Sequence, residues 1–325
     1  MAVKPTNLIL ILLMLVLAGC GPRVQALGQL IEQPFLEENA AIMADGAKLP
    51  LDVWPAQKPR AVILGVHGMN GYAADFKIPA PWFARNNIAV YAYDQRSFGR
   101  TDPEKLGLWP GTDVLVSDLG AMFDLVSARH KGVPVYILGL SMGGAVTMAA
   151  LDDGLRPAGV ILAAPAVWGW RAMNPFLKST LWVTAHVAPG FSPPASNLDI
   201  WPSDNIPMLR EISRDPVYIK ETRTDAIYGL VTLMDKAYDA AGRLKVPVLY
   251  LYGKNDQIVP ADPSRHVMRE IPQPKRVVIY DKGWHMVLRD KQRETVWRDM
   301  LAWLKDQRAA LPSGEEVSAA GLARN

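Results

Sequence analysis

The sequence predicts an α/β fold: a mostly parallel central sheet flanked by helices, with a helical segment inserted late in the chain. Three observations carry this. Short, near-continuous apolar runs recur along the chain, as they do in strands buried on both faces. Stretches of helical periodicity alternate with them, which is the rhythm of strand–helix–strand crossovers. The interval from about Ala166 to Gly242 breaks that rhythm, being rich in Trp and Pro and holding no clear buried strand.

The first element is a leader. Lys4 precedes an apolar run from Leu8 to Ala18 that is too short to cross a bilayer comfortably, the pattern of a secretory signal over residues 1–19. The only cysteine, Cys20, follows Leu17-Ala18-Gly19 directly. Leu-Ala-Gly-Cys resembles the bacterial lipobox, which implies cleavage before Cys20, lipidation of Cys20 and attachment to a membrane. An ordinary signal with an incidental cysteine is the alternative. Gly21 stands where an aspartate is associated with inner-membrane retention, so the expected location is the bacterial cell envelope, on the periplasmic face of the outer membrane. Residues 20–40 then read as a tether.

Residues 41–165 and 243–310 read as the core. Ala61–Val66 and Ile88–Tyr93 are strands, ending in His67-Gly68 and Asp94. Leu115, Leu119, Met122 and Val126 recur with helical period inside Gly111–His130. Val133–Leu138 is a strand running into Gly139, and Ala145–Leu151 is the helix after it. Val160–Ala163 is the sixth strand of the expected sheet, and residues 166–242 follow it as a helical cap. Val246–Tyr252 and Arg276–Tyr280 are strands separated by a helix around Ser264–Glu270. A last helix shows Val296, Trp297, Met300, Leu301 and Leu304 on one face. Residues 311–325 are expected to be a disordered tail.

Composition narrows the function classes. Half of the 325 residues are hydrophobic and 21% are charged, the balance of a folded protein. The formal net charge is +3, but the basic residues are scattered, so nucleic acid is not an expected partner. One cysteine excludes an internal disulfide and a CxxC redox pair. No His-Glu-x-x-His cluster appears, so neither metal nor cofactor is implied. No pattern in the chain speaks to oligomeric state.

Gly139-Leu140-Ser141-Met142-Gly143 matches Gly-x-Ser-x-Gly. The match is short, and its setting is the stronger part: it follows an apolar β run and precedes a small-residue helical stretch. A sharp strand-to-helix turn there pushes the Ser141 hydroxyl into solvent at a helix N-terminus, where developing negative charge is favoured. A hydroxyl is a weak nucleophile and needs a base. Of five histidines, His285 lies on a loop at the carboxyl end of the last strand, where active sites of open α/β sheets sit. The base needs an acid to fix its tautomer, and Asp256 follows the Val246–Tyr252 strand, giving the chain order Ser, Asp, His. Asp281 and Asp262 are the competing acids. The main-chain N–H groups of Met142 and Met69 are the expected oxyanion donors.

Together these stretches resemble the α/β-hydrolase superfamily, and within it the monoacylglycerol lipase/lysophospholipase group, also labelled the serine aminopeptidase S33-type domain. The motifs are His67-Gly68-Met69-Asn70-Gly71, Asp94 to Asp102, Gly139 to Gly144, Tyr252 to Pro260, and Trp284-His285. Ser97 departs from the glycine usual in Asp-x-Arg-Gly-x-Gly. Asp94 and Arg96 read as structural, a buried charge pair holding loops beside a strand end. The resemblance implies a cap formed by the insertion, with Trp168, Trp170, Met173, Phe176, Leu181 and Trp182 either covering an acyl chain or packing the cap onto the core. It implies ester hydrolysis of lipid-like substrates such as monoacylglycerol or lysophospholipid through an acyl-enzyme. Acyl transfer and aminopeptidase-type cleavage would use the same residues. A non-catalytic, membrane-anchored interaction module is the reading from another class. Related enzymes that use aspartate or cysteine as nucleophile are excluded by Ser141.

Overall fold

The computed structural model describes residues 21–194 and 199–323. The expected signal segment 1–19 and Cys20 lie outside the described residues. The elements are β1 (Phe35–Leu36), β2 (Ala40–Ile42), β3 (Lys48–Trp54), β4 (Ala61–Val66), α1 (Ala80–Arg85), β5 (Ile88–Tyr93), α2 (Thr112–Arg129), β6 (Val135–Leu140), α3 (Met142–Asp152) and β7 (Gly159–Ala163). After these come α4 (Pro175–Val187), α5 (Ile206–Arg214), α6 (Thr224–Ala240), β8 (Val248–Gly253), α7 (Ala261–Glu270), β9 (Lys275–Tyr280), α8 (Arg293–Lys305) and α9 (Ala319–Ala323).

The strands form one sheet in the order β1-β2-β3-β5-β4-β6-β7-β8-β9. From β5 through β9 the neighbours pair in parallel, while β1, β2 and β3 run antiparallel at one side. Strand periodicity divides the core between the two faces. Val62, Leu64 and Val66 of β4 face one way, with Leu119 and Met122 of α2 and Ala145 and Met148 of α3. Ala61 and Ile63 face the other way, with Phe83 of α1 and Val296, Met300 and Trp303 of α8.

The insertion follows β7. That strand is seventh rather than sixth in chain order, with β1, β2 and β3 all preceding Ala61–Val66. Within the insertion α6 packs along α3, so it closes one face of the sheet as well as carrying the segments before it.

Both chain ends depart from expectation. The stretch expected as a tether supplies β1, and Gln25 N–H donates to the Trp109 carbonyl at 2.9 Å. The stretch expected as a disordered tail is packed: Leu311 and Leu322 are buried, and Val317 N–H donates to the Val277 carbonyl at 2.8 Å. The physical reason is β9. An edge strand exposes a row of unpaired main-chain groups, and the chain after α8 returns to cover it.

Candidate active site

The strand order reverses between β4 and β6. From β4 the chain moves outward to β5, whereas from β6 it moves the opposite way to β7. The loops after β4 and β6 therefore part at their carboxyl ends and leave a crevice. Ser141 lies on one side of it and His67-Gly68-Met69 on the other.

Ser141 joins β6 directly to α3 with φ 48° and ψ −114°. That is the left-handed side of φ, costly for a residue with a Cβ. Three contacts hold it. Ser141 N–H donates to the Ala163 carbonyl at 3.0 Å, and its carbonyl accepts from Ala166 N–H at 2.9 Å and Gly144 N–H at 2.9 Å. The turn also demands glycine. A Cβ on Gly143 would lie 2.1 Å from the Val66 carbonyl oxygen, and one on Gly139 would lie 2.6 Å from the Gly143 oxygen. Met142 opens α3, so its N–H has no partner within the helix. Gly68 lies against Ser141, which brings the Met69 end of the β4 loop beside it.

His67 explains how that loop is held. It is fully buried, and burial pushes its imidazole pKa below the ordinary value, so it stays neutral. Its Nδ1–H donates to the Gly68 carbonyl at 2.8 Å, leaving Nε2 to accept from Gln95 N–H at 2.9 Å. The Gln95 amide returns a bond to the His67 carbonyl at 2.8 Å. The loops after β4 and β5 are thus clamped together behind the crevice.

Asp256 and His285 meet because two glycines let their loops touch. A Cβ on Gly253 would fall 2.3 Å from the Trp284 oxygen, and one on Gly283 would fall 2.8 Å from Gly253 Cα. Asp256 follows β8 with its side chain fully buried. Its Oδ1 accepts from Ile258 N–H at 2.8 Å and Val259 N–H at 3.0 Å, which fixes the carboxylate plane. Its Oδ2 faces His285 Nδ1 at 2.8 Å. A carboxylate only accepts, so Nδ1 carries the proton and Nε2 is left unprotonated. Asp281 instead pairs with Lys254 at 2.9 Å on the surface.

Ser141 and His285 line one cavity of about 350 Å³. Its wall is mainly apolar, with Leu140, Leu209, Ile212, Ile219, Met286 and Leu288. One polar patch interrupts it. Arg289 and Asp75 form a buried ion pair at 3.0 Å, and the Tyr218 hydroxyl donates to Asp75 at 2.8 Å. Burial, followed by the Asp75 charge, pushes the Tyr218 phenol well above its ordinary pKa, so it remains a donor. Such an arrangement can activate a hydroxyl, hold an oxyanion and seat an apolar chain with one polar end.

One expectation about neighbours is corrected, and of the two roles open to the six apolar insertion residues, packing onto the core holds for four. Asp94 and Arg96 do not pair with each other. Asp94 holds Arg100 at 2.8 Å, and Arg96 bridges Asp45 at 2.6 Å and Asp118 at 2.7 Å. The six apolar insertion residues are not among those lining the cavity. Trp168, Trp170, Met173 and Leu181 pack against the core, and Phe176 and Trp182 face outward. The cover comes from Pro202, Leu209, Ile212 and Ile219, further along the insertion. Asp75, Tyr218, Arg289 and Asp290 carry no motif. The only local signal for the last two was an Arg-Asp pair shortly after His285.

The model of the family described as "Serine aminopeptidase, S33" matches residues 57–292. Over 284 residues the chain is 26% identical to a monoacylglycerol lipase of Mycolicibacterium smegmatis, covering 82% of this chain and 96% of that one. It is 25% identical over 291 residues to the human monoglyceride lipase, covering 85% and 93%. A soluble variant of the monoglyceride lipase from Saccharomyces cerevisiae, solved with a substrate analog, superposes with a TM-score of 0.70 at 21% identity, over 88% of this chain and 97% of that one.

Proposed function

Because the chain belongs to the serine aminopeptidase S33 family, on an α/β-hydrolase scaffold, we propose that it is a serine esterase that cleaves monoacylglycerols. The observation that carries the reading is the shared cavity, in which Ser141 and an Asp256-backed His285 face an apolar wall with one polar patch. Ser141 attacks the ester carbonyl while His285 takes its proton. The Met69 and Met142 N–H groups hold the oxyanion. His285 then protonates the departing alcohol, and Asp256 steadies the imidazolium. Water, deprotonated by the same histidine, frees the acid from Ser141.

The polar patch argues for a neutral alcohol. A phosphate head group needs an uncommitted cation and an α-amine needs an uncommitted carboxylate. Arg289 and Asp75 neutralise each other. Lys220, the other cation on the wall, donates to the Ile212 carbonyl and sits over the Tyr218 ring. Hydroxyls can bond to this patch without breaking it. Named monoacylglycerol and monoglyceride lipases among the relatives agree with that choice.

The reading includes location. The lipobox-like run up to Cys20 supports a lipid anchor on the periplasmic face of the outer membrane, beside glycerolipids.

The test is a panel of monoacylglycerols, lysophospholipids, triacylglycerols and aminoacyl amides, with Ser141→Ala as control. Monoacylglycerols should turn over fastest, and the control should lose roughly 10⁶-fold in kcat. Faster lysophospholipid or amide cleavage overturns the substrate, and full activity in the control overturns the mechanism.

A further inference from the structure

The segment Trp201–Asn205, between α4 and α5, is bonded along its length to the two loops that carry Asp256 and His285. Trp201 N–H donates to the Gln257 side chain at 2.8 Å, beside Asp256. Met286 N–H, beside His285, donates to the Pro202 carbonyl at 3.0 Å. Lys291 N–H donates to Asp204 at 2.9 Å, and the Asn205 amide donates to the Arg289 carbonyl at 2.8 Å. At the centre lies Asp290, five residues after His285 and fully buried. One of its oxygens accepts from the Ser203 hydroxyl at 2.5 Å, and the other accepts from Trp284 N–H at 2.7 Å. Trp284 immediately precedes the histidine.

We propose that Asp290 is a positioning residue for His285, and that Ser203 ties this base to the insertion. The proposal rests on His285 being the base of the reaction above. Its physical content is a second carboxylate behind the histidine. Asp256 fixes the imidazole through Nδ1, and Asp290 fixes the main chain on the other side through Trp284. The Ser203 hydroxyl keeps the Asp290 carboxylate in place, so the insertion and the base move as one unit.

The state of Asp290 adds a handle. Burial raises its pKa to about 6, against the Ser203 and Trp284 bonds that lower it. The titratable and charged groups around it are Asp204 on the insertion, His285, Arg289 and Lys291 on its own loop, and Arg293 at the start of α8. Of these, Arg289 is turned to Asp75, and Arg293 bonds the Asp290 carbonyl at 3.2 Å rather than its carboxylate. The carboxylate therefore relies on Ser203 and Trp284 to remain charged.

The experiment measures kcat and KM for a short p-nitrophenyl ester from pH 5 to 9, together with labelling of Ser141 by a fluorophosphonate. Asp290→Asn should lower kcat at pH 8 roughly tenfold with KM nearly unchanged. The gap to the wild type should narrow below about pH 6, where the wild type also loses the charge. Ser203→Ala removes a bond that favours the charged form, so the pH at which activity falls should move upward. A gap that stays constant from pH 5 to 9, with a superimposable Ser203→Ala profile, overturns the proposal. If Asp290→Asn does not fold, Ser203→Ala decides alone. A wild type that neither turns over ester nor labels overturns the serine-esterase reading, and this proposal with it.

Discussion

His285 Nδ1 stands 2.8 Å from Asp256 Oδ2, although the two residues are 29 positions apart and a full strand lies between them. The main-chain contact of Gly253 with Gly283 closes that distance. Asp256 cannot turn away, because its other oxygen is held by Ile258 and Val259 N–H. The pair therefore fixes one imidazole tautomer before any substrate arrives.

Asp256→Asn should preserve the packing and lose the activity. An amide can accept from the same two N–H groups, but its NH₂ turned toward His285 would favour the wrong tautomer. In other enzymes built on this trio of groups, the change lowers kcat by about 10⁴. Ester turnover should fall by that order while the thermal midpoint stays close to wild type. A loss of less than tenfold would show that another group orients His285.

Gly143→Ala should damage the nucleophile turn without touching any reacting group. The new Cβ would lie 2.1 Å from the Val66 carbonyl oxygen, which belongs to the central strand β4 and cannot yield. Relief requires α3 to shift away from the sheet. A destabilisation on the order of 3 kcal/mol is expected, seen as a lower urea midpoint, together with loss of Ser141 labelling by fluorophosphonate. A folded, fully labelled variant would mean that the turn relaxes elsewhere.

How much of this was legible in the sequence depends on how local each feature is. The Ser141 turn was readable because an apolar run, a glycine-spaced serine and a small-residue helix lie in one stretch. Asp256 and His285 were readable as polar residues at strand ends. β3 was not, because Pro50 lies in the middle of Lys48–Trp54 and proline argues against a strand. It is tolerated because the pairing of β3 with β5 begins only at Leu51, opposite Tyr93, so the missing Pro50 N–H falls outside that ladder. The Asp75–Arg289 patch and the Ser203–Asp290 link join residues 214 and 87 positions apart, and nothing local to either partner announces the other. The source of the cavity cover escaped for the same reason. Aromatic content pointed to Trp168–Trp182, but the segment around Pro202–Ile219 is the one that returns over Ser141.

Cys20→Ala should release the protein from membranes. A lipidated Cys20 would hold the protein through its acyl chains, and removing its sulfur removes that attachment. Fractionated cells should show wild type in the membrane pellet and the variant in the soluble envelope fraction. A variant that still pellets would instead indicate that residues 1–19 remain as an uncleaved anchor.

Acid stability should turn on Asp45. The Arg96 hydrogen bonds pull its pKa from 3.8 down to about 2 in the folded chain. A carboxylate whose folded pKa is depressed binds fewer protons folded than unfolded, so its stabilisation is complete above about pH 4 and disappears as the pH falls through 2. The contribution is about 1–2 kcal/mol after allowance for solvent near the pair. Asp290 acts in the opposite sense: its folded pKa is about 6, so proton uptake between pH 6 and 4 favours the folded state. Urea unfolding from pH 7 downward should therefore show stability rising toward about pH 4 and dropping below it. In Asp45→Asn the drop attributable to this carboxylate should vanish, and stability above pH 4 should be lower than wild type. An unchanged acid drop in that variant would move its origin to another carboxylate.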